Sequence, residues 1–265
     1  MLIDPQASRV RRVAKLLKKD ARSQTGLFLL EGPQGLKEAL ERSKNLVVEV
    51  YATEDAVARH PEQFARAQSQ RVRVELVSEQ VLKAMTDTTT PQGVVTVCNQ
   101  IDVSLEDVLA QKPRLIALLA NVRDPGNAGT ILRAADAAGA DAVFFSKGSV
   151  DLYNNKVVRS TTGSILHLPI VIDVDILEGI DEARKMGMQI FAANGGGEQL
   201  PSLAADVLAA PTVWVFGNEA WGFEDSILAK VDRQVGLPIY GSAESLNVAT
   251  AASVCLYESA FAQNA

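Results

Sequence analysis

Five runs of residues, 115–120, 142–145, 189–193, 212–216 and 234–239, are largely apolar from end to end and are separated by stretches of helical character. A strand with one face in water alternates apolar and polar residues, whereas a strand covered on both faces need not. Continuous runs alternating with helices therefore indicate a mainly parallel sheet between helical layers, an α/β architecture. Ligands of such sheets bind beyond the carboxyl ends of the strands. Three loops fall in that position, beginning at Asn121, Gly217 and Gly241.

Upstream, shorter apolar runs at 27–30, 47–51 and 72–77 alternate with helix-like stretches at 33–42 and 55–69, and a strand follows at 93–98. The pattern predicts a small α/β domain over 1–105, a linker at 106–112, and a second domain over 113–265. Ser104 is placed to cap a short helix at 105–110. A chain of 265 residues, 47% hydrophobic, is long enough to bury two cores. No segment approaches the ~20 apolar residues of a membrane span, and the first twenty residues turn basic rather than apolar, so neither a membrane protein nor an exported one is expected. Cys98 and Cys255, each in an apolar stretch, fit reduced cytoplasmic thiols better than a disulfide framework. His60 and His167 stand apart from any cluster with metal-ligand spacing, so no metal site is expected.

A formal charge of -6 argues against indiscriminate nucleic-acid binding, but it is unevenly distributed. Residues 1–112 hold 16 basic and 15 acidic side chains, against 10 and 17 in the remainder. Arg9, Arg11, Arg12, Lys15, Lys18, Lys19 and Arg22 crowd into one short segment opposed only by Asp20. Arg11, Lys15, Lys18 and Arg22 follow i, i+4, i+7, i+11 spacing, which would align them on one helical face. Two readings compete: the solvated face of an amphipathic helix, and a stripe that meets RNA phosphates.

In "NVRDPGNAGTILRAADAAG" (121–139), Asp124, Pro125 and Gly126 make a turn, Asn127 can cap the following helix, and Gly139 can stop it. Arg133 lies more than a turn beyond the cap, where a surface ion pair is the plainest role. In "VFGNEAWGF" (215–223), Gly217 lets backbone approach a ligand closely, and Glu219 can accept hydrogen bonds from a nucleoside or pair with an arginine. Glu219 and Glu224 could equally favour the N-terminus of the next helix. In "LPIYGSAESLNVATAASVCLYE" (237–258), Gly241 relaxes the backbone, Ser245 is suited to cap an alanine-rich helix, and Asn247 offers a donor and an acceptor in its first turn.

Taken in this order, the three segments resemble the three motifs of the SpoU/TrmH family of RNA ribose 2'-O-methyltransferases, part of the knotted SPOUT superfamily. "SRVRRVAKLLKKDARSQTGLFLLEG" with the later "TDTTTPQGVVTV" resembles the N-terminal substrate-binding module of many SpoU-type enzymes. The resemblance implies a deep trefoil knot in the second domain, with S-adenosylmethionine held by Gly217, Leu237 and Leu246 and with Ile239 close by. It assigns catalysis to Arg133, supported by Asn127, Glu219, Ser245 and Asn247, because the motif Asn and Arg keep their spacing of six. Lys156 and Arg159, in "SVDLYNNKVVRSTTGSILHLPI", resemble a segment lining the RNA side of the pocket, with a structural turn as the competing reading. The small residues of the last helix, including Ala249, Ala252 and Ser253, fall where the family forms a homodimer that completes each active site.

The implied reaction moves a methyl group to a ribose 2'-hydroxyl of structured RNA, and the N-terminal module fits ribosomal better than transfer RNA. Deprotonating a guanidinium of pKa ~12.5–13.8 near neutral pH would cost roughly 7–9 kcal/mol, so an orienting and electrostatic role for Arg133 is cheaper than a base role. A nucleotide-dependent oxidoreductase is disfavoured, because neither G-x-G-x-x-G nor G-x-x-x-x-G-K-[ST] occurs and "NGGG" at 194–197 matches neither. A noncatalytic RNA-binding protein remains as the alternative; it would keep the basic N-terminal segment without needing the three motifs together.

Overall fold

The computed structural model describes residues 1–43 and 45–265, which divide into two compact units: Met1–Ile101 with Tyr153–Leu166, and Asp102–Leu152 with His167–Ala265. In the first unit four strands, β1 (Leu27–Glu31), β2 (Val47–Ala52), β3 (Arg73–Leu76) and β4 (Val94–Asn99), form a sheet of order β1-β4-β2-β3. Strand β4 runs antiparallel to both neighbours, while β2 and β3 are parallel. Helix Ser8–Lys15 lays Val10 and Val13 into a core with Leu29, Tyr51, Val95 and Val97. The single helix expected at 55–69 is two, Glu54–Arg59 and Pro61–Ser69. Pro61 lacks the amide a continuing helix needs and is tolerated only in a first turn.

The basic stripe is interrupted in the same way. Helix Ser8–Lys15 ends with Leu16 as its C-cap, and Lys18 precedes a second helix, Lys19–Thr25. Arg11, Lys15, Lys18 and Arg22 therefore do not share one helical face. Arg22 is only 3% exposed, and its Nη1 donates to the Leu16 carbonyl at 2.8 Å, meeting an acceptor that the end of the first helix leaves unpaired. Arg9 is also turned inward, donating to Tyr51 Oη at 2.8 Å, Glu49 at 2.6 Å and Glu75 at 3.0 Å. Arg11, Lys15 and Lys18 remain exposed.

The segment Tyr153–Leu166 lies along the chain within the expected second domain but packs with the first unit. The Tyr153 and Phe28 rings are 4.8 Å apart, and Tyr153 Oη accepts from the Ile101 amide at 2.7 Å.

The second unit is built on β5 (Leu115–Leu119), β6 (Ala142–Ser146), β7 (Ile170–Val174), β8 (Gln189–Gln199), β9 (Thr212–Phe216) and β10 (Arg233–Gly236). Their order is β10-β8-β9-β5-β6-β7, and every pairing is parallel. Strand β7 is an addition to the five expected: a sheet-edge strand whose later residues include exposed Asp173, it lacks the continuous apolar signature. The last run is shorter than expected, because β10 stops at Gly236 and Pro238 has no amide to extend a ladder.

Both faces of this sheet are covered, which is why its central strands are apolar throughout. Ile116, Leu118, Ile190, Val213 and Val215 pack with Ile180 and Ala183 of helix Ile176–Lys185. The alternate positions face helices Pro125–Ala137 and Val248–Gln263, which pack against β5 and β9. There Trp214 is fully buried, meets Phe191 edge-on at 5.2 Å, and donates its indole N–H to Ser259 Oγ at 2.9 Å. Among the described residues no helix is long and apolar enough to cross a membrane, and no group of three or more His, Cys, Asp or Glu side chains could hold a metal ion.

Ser259 is the acceptor for a donor that has no access to water, so Ser259→Ala leaves the indole N–H buried and unpaired. The expected loss is about 1–3 kcal/mol of stability, read as a lower urea midpoint at unchanged denaturant slope.

Candidate functional site

Beyond the carboxyl ends of β5, β9 and β10, and beside the middle of β8, the second unit opens into a cleft of about 530 Å³. Asn127 of the first motif lines it, as do Gly217 and Glu219 of the second and Leu237, Ile239, Ser245, Leu246 and Asn247 of the third. Eight residues singled out in the sequence for cofactor or chemistry are thereby brought to one place from three separate segments.

Hydrogen bonds lock the three loops together in one direction. Asn247, not Ser245, caps the last helix: its Oδ1 accepts from the amides of Ala249 at 2.9 Å and Thr250 at 3.3 Å. With its oxygen committed, Asn247 donates through Nδ2 to Asn127 Oδ1 at 2.9 Å. Asn127 in turn donates through Nδ2 to Glu219 Oε1 at 3.2 Å. Asn127 is free to do so because Asp124 is the cap of helix Pro125–Ala137, its Oδ1 accepting the Asn127 amide at 2.8 Å. Glu219 also accepts the backbone amides of Asp124 at 3.1 Å and Arg123 at 3.2 Å. Partial burial alone would raise the Glu219 pKa; donation from backbone amides, including those of Arg123 and Asp124, and from Asn127 outweighs it and holds the carboxyl below its ordinary value.

The walls combine close backbone with aliphatic side chains. A Cβ on Gly217 would lie 2.7 Å from the Gly222 carbonyl oxygen, so only glycine permits the turn that follows β9. Ile239 and Leu246 are 38% and 42% exposed, an apolar surface suited to the faces of a heteroaromatic ring. Ala193, Asn194 and Gly195 also line the cleft, and the sequence reading missed them. For Asn194 and Gly195 the signal is "NGGG", a glycine run that follows the apolar residues 189–193 and lies within β8. Cys255 borders the cleft but is buried, and burial pushes its thiol up to about 12, so it stays protonated and is no nucleophile.

The remaining predicted residues lie elsewhere. Arg133 is on the exposed side of helix Pro125–Ala137, is not among the residues lining the cleft, and has no hydrogen-bond or ion-pair partner among the described residues. The surface ion pair that was its plainest reading is therefore not formed. Lys156 is exposed on helix Asn155–Ser160 in the first unit. Arg159, on the same helix, is engaged within that unit: its Nη1 pairs with Glu31 at 2.9 Å and with Asp87. Burial opposes its charge, but the two carboxylates outweigh burial and raise its pKa. A guanidinium held this way braces the first unit and is not a free phosphate ligand.

The family model described as the SpoU rRNA Methylase family matches residues 114–257, and that of the MRM3-like substrate binding domain matches residues 7–96. The chain is 34% identical over 247 residues to the 23S rRNA (guanosine(2553)-2'-O)-methyltransferase RlmP of Bacillus subtilis, covering 92% of each chain. Its fold is similar to that of an AdoMet-bound rRNA methyltransferase from Sinorhizobium meliloti, with a TM-score of 0.85, 27% identity, and 97% of this chain and 96% of that one covered. It is also similar to the SpoU methyltransferase AviRb from Streptomyces viridochromogenes in complex with AdoMet, with a TM-score of 0.83, 27% identity, and coverage of 96% and 98%. With its motif loops joined at one cleft, and matched by the family model over more than half its length, the chain belongs to the SpoU rRNA methylase family.

Proposed function

We propose that this chain transfers the methyl group of S-adenosylmethionine to a ribose 2'-hydroxyl of ribosomal RNA. The observation that carries the reading is the hydrogen-bonded line from Asn247 through Asn127 to Glu219 at the edge of an aliphatic-walled cleft. A noncatalytic RNA-binding protein would need neither. Ribosomal rather than transfer RNA is favoured by the similarity to RlmP, a 23S rRNA enzyme, over nearly the whole length of both chains.

The cleft suits S-adenosylmethionine: Leu237, Ile239 and Leu246 would cover the adenine faces while backbone at Gly217 approaches its polar edges. The bound cofactor supplies an already activated methyl on a sulfonium. What the protein must add is alignment of the ribose oxygen and help with its proton. Glu219, with three N–H groups on its carboxylate and a depressed pKa, is a poor base and serves to set the loops. Ser245, exposed in the cleft and without a hydrogen-bond partner among the described residues, is free to hold a ribose hydroxyl. Asn127 and Asn247 each keep an unused amide hydrogen for the same purpose.

Arg133 orients the target phosphate and stabilises the developing alkoxide, but it serves the cleft of a partner protomer rather than its own. A homodimer through the last helix would do this. Ala249 and Ala252 are buried within the unit, whereas Val254, Tyr257 and Phe261 form an outward apolar row. The division of labour follows the two units, with the first gripping RNA and the second, including the residues 106–112 expected as a linker, carrying the methyltransferase, threaded as the trefoil knot of its superfamily. Arg11, Lys15, Lys18 and Lys156 are the basic side chains exposed for phosphate contact.

Three outcomes are expected. Because the folded pKa of Glu219 is depressed, its contribution is fully present above the unfolded pKa, near 4.5, and is lost as pH falls through the lower folded value. Thermal stability and cofactor affinity should therefore hold near neutrality and fall in acid. Glu219→Gln should lose that acid dependence and weaken S-adenosylmethionine binding at pH 7 by about 1–3 kcal/mol, since its amide turns a donor toward backbone N–H groups. Calorimetry that finds wild-type affinity in this variant would remove Glu219 from the site.

If Arg133 acts across a dimer, Arg133→Ala and Glu219→Gln chains, each impaired alone, should on mixing recover about a quarter of wild-type methylation, because half the dimers are mixed and each carries one intact site. No recovery in a mixture shown to exchange subunits would return Arg133 to its own protomer. Arg11→Gln, Lys15→Gln and Lys18→Gln together should weaken RNA binding and flatten its dependence on salt concentration. An unchanged salt slope would make these residues an ordinary solvated surface.

A further inference from the structure

Trp221, in the second motif, has no part in the chemistry derived above. It is 50% exposed yet firmly held, because Asn218 and Gly222 exchange backbone hydrogen bonds of 2.9 Å across its turn. Asn218 Oδ1 accepts the amides of Ala220 at 2.8 Å and Trp221 at 3.4 Å, and Asn218 Nδ2 donates to the Asn121 carbonyl at 2.7 Å. The turn that carries the indole is thus held, and the ring keeps a large apolar surface in water, close in sequence to Glu219 and Gly222, both of which line the cleft.

Arg123, from the first motif loop, lies over the indole with Cζ 4.9 Å from the ring centroid. Its backbone is anchored by the amide that donates to Glu219 Oε2 at 3.2 Å. Its guanidinium forms no hydrogen bond or ion pair with any described residue. Its five N–H donors are therefore uncommitted within the protein. The two motif loops therefore present an exposed aromatic surface and an unspent fork of cationic donors on the same turns as cleft-lining Glu219 and Gly222.

We propose that Trp221 and Arg123 form a nucleobase subsite: the indole stacks against a base of the substrate RNA at or beside the methylated nucleotide, and Arg123 takes the adjoining phosphate. This rests on the reading of the cleft as an RNA 2'-O-methyltransferase site. Stacking on an aromatic ring accepts any base and requires one free of its own neighbours. The subsite therefore positions the ribose and selects an unstacked nucleotide without reading base identity.

The chain has two tryptophans and Trp214 is fully buried, so a fluorescence change on RNA binding reports Trp221. Titrating the full-length protein with an in vitro transcript of 23S rRNA should quench the wild type and leave Trp221→Phe unquenched. Trp221→Ala should raise KM for the transcript by about 5- to 150-fold, the range that loss of one stacked base produces. Its affinity for S-adenosylmethionine should stay within twofold of wild type, and Trp221→Phe should restore most of the loss in KM. Arg123→Gln should weaken RNA binding and lower the salt slope.

Wild-type KM in Trp221→Ala overturns the proposal, as does a Phe variant as impaired as Ala. Loss of cofactor affinity in Trp221→Ala overturns it in favour of a purely structural residue, and a changed oligomeric state overturns it in favour of a contact between copies of this chain. If the wild type binds the transcript without methylating it, the functional reading fails instead, and the quenching comparison still decides whether Trp221 meets a base.

Discussion

Three loops separated by some ninety and then thirty residues of chain form one site because each side chain in the line from Asn247 to Glu219 has its polarity fixed by the one before it. The free amides at the start of the last helix orient the Asn247 oxygen, and its nitrogen must then donate to Asn127. Asn127 is left to donate to a carboxylate that can only accept. Reversing either amide would set donor against donor on one side and acceptor against acceptor on the other. The line therefore defines one arrangement of the loops, and the depressed Glu219 pKa is its electrostatic counterpart.

Sheet order explains why the cleft takes its shape. Strands β5 and β9 are neighbours, so the first two motif loops meet directly, but β10 is separated from β9 by β8. The third motif starts from the far side of β8 and reaches the first through the Asn247–Asn127 hydrogen bond. Where β10 runs against β8 the backbones leave no room for side chains: a Cβ on Gly236 would lie 2.9 Å from the Gly195 carbonyl oxygen, and one on Gly197 would run into the Gln234 carbonyl. The "NGGG" segment, within β8, is thus held close against β10, and its Asn194 and Gly195 form part of the cleft wall.

What could be read from the sequence divides along the same physical line. Strands covered on both faces carry their own signature, so β5, β6, β8 and β9 were legible without any knowledge of what packs on them. The choice of Asp124 over Asn127, and of Asn247 over Ser245, as helix caps was not. All four are competent capping residues, and the selection is made by partners some ninety or more residues away. The continuous stripe through Arg22 failed for a similar reason: periodicity describes a helix that continues, and it cannot register that Arg22 is drawn inward to the Leu16 carbonyl. Arg133 differs again, because its spacing from Asn127 is visible along the chain while its place outside the cleft is a property of the folded helix.

Charge shows how RNA can be handled by a protein with an overall negative balance. Several basic residues that suggested RNA affinity are internal braces, with Arg9 on Glu49 and Glu75, Arg22 on a carbonyl, and Arg159 on Glu31 and Asp87. The C-terminal part carries 17 acidic against 10 basic residues, so long-range attraction cannot be what brings a phosphate chain to the cleft. At physiological ionic strength charges more than about 8 Å apart are largely screened. Placement at the reacting centre must then rest on short-range contacts that tolerate a negative background. The exposed Trp221 indole with Arg123 4.9 Å from it is proposed as such a contact, since stacking is indifferent to net charge and a single cation would act only on the phosphate beside it. On the proposed reading, affinity from exposed lysines and arginines of the first unit and position from an aromatic surface beside the cleft would be two separable tasks.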